Sequence, residues 1–150
     1  MIEVLVISIS KPLLIGVYKN KKIAKIYKEE GKTSDVLPLI FNNILKSYSL
    51  SKIYYVNGPG SYMAIKVAYL FLKTISISKN IELEACNGFE FNKNSPIKAL
   101  GKKYFINENK SIKVDFLDNN TKIYDFELPN VLEKINFSLD TLPKYNLPAV

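Results

Sequence analysis

One segment constrains this chain more than any other: KIYYVNGPGSYMAIKVAYLFLKTISISKNIELEA, residues 52–85. Residues 52–57 read as a strand. Gly58, Pro59, Gly60 and Ser61 form a tight turn, residues 61–78 a helix, and residues 81–85 another strand. Gly58 and Gly60 permit backbone angles that other residues resist. Ser61 brings a side-chain oxygen suited to capping a helix start. A helix N-terminus after a glycine turn attracts anions, but no Gly-Lys-Ser/Thr follows at phosphate-loop spacing, and the dinucleotide fingerprint is absent as well. The turn is therefore read first as a strand-to-helix connection.

The helix that follows is apolar on nearly every side. At ~100° per residue, Ala64, Ala68, Phe71 and Ile75 share one face, where two alanines allow close approach to a sheet. Lys66 and Lys73 mark the opposite side, yet Tyr62, Met63, Tyr69, Leu70 and Ile77 crowd around them. A helix that only covers a sheet is polar on its outer side. An apolar outer face points to burial by a second protein or subunit. The competing cover is the chain's own C-terminal part.

Around this unit the chain reads β-β-β-α-β-α-β over about its first 90 residues. Residues 3–9 form a buried strand, and residues 13–18 and 22–27 a hairpin across a short polar turn. Thr33, Ser34 and Asp35 are cap candidates for a helix over residues 36–48, with Pro38 in its first turn. Leu37, Ile40, Phe41, Ile44, Leu45 and Tyr48 share one face of that helix; Asn42, Asn43 and Lys46 lie opposite. The order implies a mixed sheet with helices packed on it, an α/β fold. Residues 1–90 then form one lobe and residues 91–150 a reduced, β-rich second one. Its short strands are expected at 96–100, 103–106, 110–117 and 121–128, with an Asn119-Asn120 hairpin turn and an extended tail carrying Pro143 and Pro148. Of Tyr54 and Tyr55, one is expected to face the core.

Composition narrows the chemistry. The chain has no histidine, which excludes His bases, Ser-His-Asp triads and His metal sites. Cys86 is the only cysteine, so no Cys-based cluster can form. Its neighbours Glu82 and Glu84 would raise its pKa, and it reads as a small buried apolar residue. Net charge is +7, and all 21 cationic side chains are lysine. Arginine, which reads phosphate and guanine with a planar fork, is missing. The lysines are scattered, and a biased genome composition accounts for them as well as RNA binding does. No apolar run reaches the ~18 residues of a membrane span, and the start MIEVLVISIS lacks a basic leader. A cytoplasmic protein is expected.

The segment VNGPGSYMAIKVAYLFLKTIS resembles the Gly-Pro-Gly-Ser-Phe-Thr-Gly-Leu-Arg-Ile-Gly segment of the TsaB (YeaZ) family, bacterial proteins of tRNA threonylcarbamoyladenosine biosynthesis. VLVISIS, TSDVLPLIFNNIL and IKALGKKYFI are similar to further family segments, so the resemblance covers roughly residues 1–107. The departures are marked: Ser8 stands for an Asp, Met63-Ala64 for Thr-Gly, Lys66 for Arg and Ala68 for Gly, a loop His is absent, and the second lobe is cut down. The resemblance implies an actin-like/Hsp70-like (ribonuclease H-like) ATPase lobe without catalysis of its own. Ser8 and Ser10 cannot replace the carboxylates that would hold Mg²⁺-nucleotide.

It further implies a scaffold for a TsaD-like catalytic subunit, with a TsaE-like ATPase in the same complex. Their product is threonylcarbamoyladenosine at position 37 of ANN-decoding tRNAs. ATP or ADP and Mg or another metal are expected on the partners, and tRNA is met only through the complex. The isolated chain has a homodimer as its alternative. Pairing through the two helices of the first lobe would use Leu37, Ile40, Phe41 and Ile44, together with Tyr62, Met63, Lys66, Tyr69, Leu70 and Lys73. Two other readings stand beside this one: a nucleotide-dependent enzyme of the same fold or a peptidase, and a lysine-rich RNA-binding module.

Overall fold

The computed structural model describes residues 1–146. Its first sheet contains β1 (Ile2–Ile7), β2 (Leu13–Lys19), β3 (Lys22–Glu29), β4 (Leu50–Gly58) and β5 (Glu82–Asn87), in the order β3-β2-β1-β4-β5. β1, β4 and β5 run parallel; β1–β2 and β2–β3 are antiparallel. This is the mixed sheet the sequence implies. Asn20 and Lys21 close the β2–β3 hairpin with φ of 51° and 70°, the left-handed pair that matches strand twist in a two-residue turn.

Helices α1 (Thr33–Ser47) and α2 (Tyr62–Lys79) cover one face of the sheet. There Val4, Val6, Ile15, Val17, Ile53 and Tyr55 meet Leu37, Phe41, Ile44, Ala68 and Leu72. Helix α1 starts three residues before the expected position. Lys32 occupies its N-cap without a side-chain bond, and Thr33, Ser34 and Asp35 lie inside the first turn. The backbone closes the turn itself, with the Asp35 and Val36 amides donating to the Lys32 carbonyl at 3.0 Å. Pro38 therefore sits in the second turn, where its missing N–H leaves the Ser34 carbonyl without an intrahelical donor.

The opposite face of the sheet is buried as well. Leu5, Ile7, Leu14, Tyr18, Tyr54 and Val56 lie under Phe91, Phe126, Leu128, Leu132, Ile135 and Phe137. Burial on both faces is why the strands read as continuous apolar runs. It also corrects the expectation for the tyrosine pair: Tyr54 and Tyr55 point to opposite faces, and both are buried.

After a 3-10 turn (Gly88–Phe91), a small antiparallel sheet follows: β6 (Ile97–Lys98), β7 (Lys103–Glu108) and β8 (Ser111–Phe116). Asn109 and Lys110, with φ of 49° and 67°, form its hairpin turn. The strand expected over residues 121–128 is absent, so Asn119-Asn120 starts no hairpin. Asp118 organises that turn instead, accepting from the Asn120 amide and the Thr121 hydroxyl. The physical reason is that Phe126 and Leu128 find apolar cover on the first sheet rather than a strand partner. Residues 121–146 form an irregular strap.

The strap crosses the first sheet from edge to edge. Tyr18 donates its hydroxyl to the Pro129 carbonyl at 2.6 Å, and the Ile23 amide donates to Asn130 at 2.9 Å. Phe137 stacks on Tyr54 with ring centroids 3.8 Å apart. Ser138 and Ala85 exchange two backbone bonds of 2.8 Å at the β5 edge. The expected extended tail fits through Pro143; Pro148 lies outside the described residues. Under the strap, buried Glu3 accepts from the Tyr54 hydroxyl at 2.6 Å and from Lys21 Nζ at 3.0 Å.

Candidate functional site

The turn before α2 is held from both sides. Gly58 has φ of 144°, and a Cβ there would overlap the Lys144 carbonyl oxygen of the strap. Gly60 has φ of 158°, and its Cβ would lie 2.5 Å from Cγ2 of Ile9. Only glycine accepts these angles and approaches together. The Lys144 amide donates to the Asn57 carbonyl at 2.7 Å, and Asn57 Nδ2 donates to Leu142 at 3.0 Å. Ser61 occupies the N-cap of α2, its hydroxyl accepting from the Ala64 amide at 3.4 Å. The capping role read from the sequence is the one the fold uses.

The buried face of α2 is rotated from the expected one. Ile65, Ala68 and Leu72 are buried, whereas Ala64, Phe71 and Ile75 sit half-buried on the flank. Phe71 turns toward α1 and meets Phe41 edge-on at 5.7 Å. Helix α2 thus rests in the angle between the sheet and α1, so its covered arc extends past the sheet-facing residues.

The outer side keeps its apolar character. Tyr62, Met63, Leu70 and Ile77 are 50%, 61%, 54% and 73% exposed. Lys66 is exposed, with Nζ 5.9 Å from the Tyr62 ring centroid. Tyr69 and Lys73 are half-buried, and Tyr69 leans toward Tyr55 at 6.1 Å. The strap reaches this face at one point: Tyr145 stacks on Tyr62 at 4.2 Å. Among the described residues, the strap up to Ser138 crosses the opposite face of the sheet, and Thr141 and Leu142 accept from the Tyr55 hydroxyl and Asn57 Nδ2 beside the turn.

On α1 the expectation fails. Leu37, Ile40, Phe41 and Ile44 are buried in the chain's own core and present no surface to a partner. An amphipathic helix turns its periodic apolar stripe inward, and these four residues are that stripe. The exposed apolar residue on α1 is Leu39, at 69%. Its signal was its position off the stripe, on the side of Asn42, Asn43 and Lys46.

Two clefts flank residues 8–12, where the chain leaves β1. One, of about 790 Å³, lies between the two sheets and is lined by Lys11, Lys28, Lys98, Tyr62, Tyr104 and Tyr124, among others. The other, of about 720 Å³, lies toward the start of α1, beside Glu30, Lys32 and Ser34. Both open near the carboxyl ends of parallel neighbours β1 and β4, whose connections diverge; open α/β sheets bind ligands at such places. The Ser8 hydroxyl donates to the Ala64 carbonyl at 3.4 Å, and the single Ser10 O–H lies within reach of the Pro12 carbonyl at 2.8 Å and the Ile7 carbonyl at 3.1 Å. Both hydroxyls are engaged by backbone. Cys86 is buried, and burial first, then Glu90, pushes its thiol pKa well up. That environment suppresses a thiolate nucleophile. Among the described residues no three His, Cys, Asp or Glu side chains group to hold a metal ion, and no helix is long and apolar enough to cross a membrane.

No protein-family model matches the sequence, and no curated protein matches it. The fold, in contrast, matches solved structures. YeaZ from Pseudomonas aeruginosa aligns with a TM-score of 0.59 over 82% of this chain and 67% of that one, at 8% identity. A structure described as an uncharacterized protein with similarity to peptidase YEAZ from Pseudomonas aeruginosa aligns with a TM-score of 0.56 over 99% and 69%, also at 8% identity. The chain spans about two thirds of the length of each. With a five-stranded mixed sheet and two helices on one face, it has a YeaZ (TsaB)-like α/β fold.

Proposed function

We propose that the protein is a non-catalytic scaffold subunit. It docks a TsaD-like catalytic subunit through the outer face of α2 and supports threonylcarbamoyladenosine modification at position 37 of ANN-decoding tRNAs. The observation that carries this reading is the exposed stripe of Met63, Leu70 and Ile77, with Tyr62 at its edge, on a helix packed into a YeaZ-like fold. Leu39 of α1 replaces the four buried α1 residues as the contribution of the first helix. Contiguous apolar surface of this kind marks interaction sites.

The finer fold reading, an actin-like lobe derived from ribonuclease H-like ATPases, belongs to the same proposal. It is supported by the strand order and by α2 crossing between parallel β4 and β5. A non-catalytic role is supported by the residue complement: no histidine, serines at the end of β1 that bond to backbone, and a thiol suppressed by burial. ATP or ADP, the metal and the TsaE-like ATPase belong to the rest of a cytoplasmic complex, and tRNA reaches the scaffold through it.

The test is co-purification with a TsaD-type subunit, comparing the wild type with Leu70→Asp. Leu70 is exposed, so the substitution is expected to leave folding within ~0.5 kcal/mol of the wild type and to abolish the complex. Capture of the partner at undiminished affinity by Leu70→Asp overturns the assignment of the face. A self-associating wild type that dissociates on the same substitution, with no partner captured, replaces the heterodimer with a homodimer.

A further inference from the structure

The cleft between the two sheets combines lysines and tyrosines in a way the scaffold role does not use. Lys11, Lys28 and Lys98 reach it from the β1–β2 connection, β3 and β6. Among the described residues, ion pairs engage only Lys21, Lys52, Lys113 and Lys144, so these three ammonium groups have no carboxylate partner. Asp125 is the one acidic residue in the lining. Around the same opening each ring has a cation beside it. Lys98 Nζ lies 5.0 Å from the Tyr104 centroid, and Lys93 and Lys122 lie 4.7 and 5.0 Å from that of Tyr124. Tyr62 already stacks on Tyr145, whereas Tyr104 and Tyr124 have only flexible lysines over their rings and no aromatic neighbour among the described residues.

We propose that this cleft takes a short single-stranded nucleic-acid segment, with bases against Tyr104 and Tyr124 and phosphates near Lys11, Lys28 and Lys98. Flat aromatic platforms interleaved with cations are what single strands use, because every base has a stackable face and every link a charge. A base that settles on Tyr104 displaces the flexible Lys98 stem, whose ammonium exchanges its bond to the Gly101 carbonyl for the adjoining phosphate. The volume, about 790 Å³, lies within the ~300–1,000 Å³ range of ligand clefts. The absence of arginine fits the same reading. Without the bidentate fork, base edges go largely unread, and binding tolerates sequence.

The experiment uses the isolated chain and fluorescein-labelled octauridylate, read by anisotropy from low to moderate salt, with the matching oligodeoxynucleotide and a duplex of equal length alongside. Three phosphate contacts to a single strand give a slope of log K against log salt of about −2. Lys98→Gln is expected to lower affinity and reduce the slope by about 0.7. Tyr104→Leu keeps the apolar volume and is expected to lower affinity several-fold at an unchanged slope. Lys25→Gln, on β3 but outside the cleft lining, is the control and leaves both unchanged. Binding of either single strand with this pattern supports the cleft. Any of three results overturns it: no binding at low salt, equal binding of the duplex, or equal loss in Lys25→Gln and Lys98→Gln. Because no partner subunit enters the assay, the outcome is independent of the docking face.

Discussion

The two faces of the five-stranded sheet are buried to a similar depth by different means. One carries two regular helices whose apolar stripes interlock with it; the other carries an irregular strap with side chains spaced at no fixed period. The helical face is rigid because each helix satisfies its own backbone and spends its side chains on packing. The strap has no such internal ladder. It holds position through scattered bonds to strand edges and through single large side chains such as Leu132, Phe126 and Phe137. Equal burial therefore does not mean equal tolerance.

The sharpest way to break this contrast is a matched pair of truncations. Phe41→Ala, on the inner face of α1 and against Phe71 of α2, is expected to cost ~3–5 kcal/mol in denaturant unfolding. Leu132→Ala, a buried side chain of the strap itself, is expected at the low end of its class, ~2 kcal/mol, because an irregular segment settles into part of the cavity. Equal costs would show that the strap packs as firmly as the helices.

A smaller effect depends on pH. The hydroxyls of Tyr18 and Tyr54 under the strap, and of Tyr55, which donates to the Thr141 carbonyl near the end of the strap, are all pushed up in pKa, burial being the largest cause; the Glu3 carboxylate adds to the shift at Tyr54. Raised native values mean that the unfolded chain ionises first. Stability is thus fully present below pH ~10 and falls as pH rises beyond it. Tyr54→Phe is expected to flatten that alkaline decline, measured as the unfolding midpoint between pH 8 and 11. An unchanged slope in Tyr54→Phe would remove Tyr54 from the alkaline transition.

These differences also explain how much could be read from the sequence. The hairpin, β4, the Gly58–Ser61 turn and both helices follow from periodicity and turn chemistry, which are local. Part of the strap reads as a strand in sequence because Phe126 and Leu128 alternate as strand residues do; what decides their state is the bare face of a sheet made long before them. The same limit applies to the helix surfaces. The outer apolar residues of α2 were legible because they exceed what one sheet can cover. The α1 stripe was assigned outward although its period marked it as core, and Leu39, the true exception, broke the pattern instead of forming it.

The strap is also the last part of the sheet's cover to be synthesised. Tyr18 waits for Pro129, a separation of 111 residues, before its hydroxyl is satisfied. Until residues 126–138 emerge, the finished strands carry a greasy, unshielded surface and a buried-to-be carboxylate at Glu3. Loop closure over such distances is slow, so a nascent chain halted near residue 120 is a sticky intermediate. Closure of the strap is thus the step that hides this apolar surface, and transiently exposed surface of that kind is aggregation-prone.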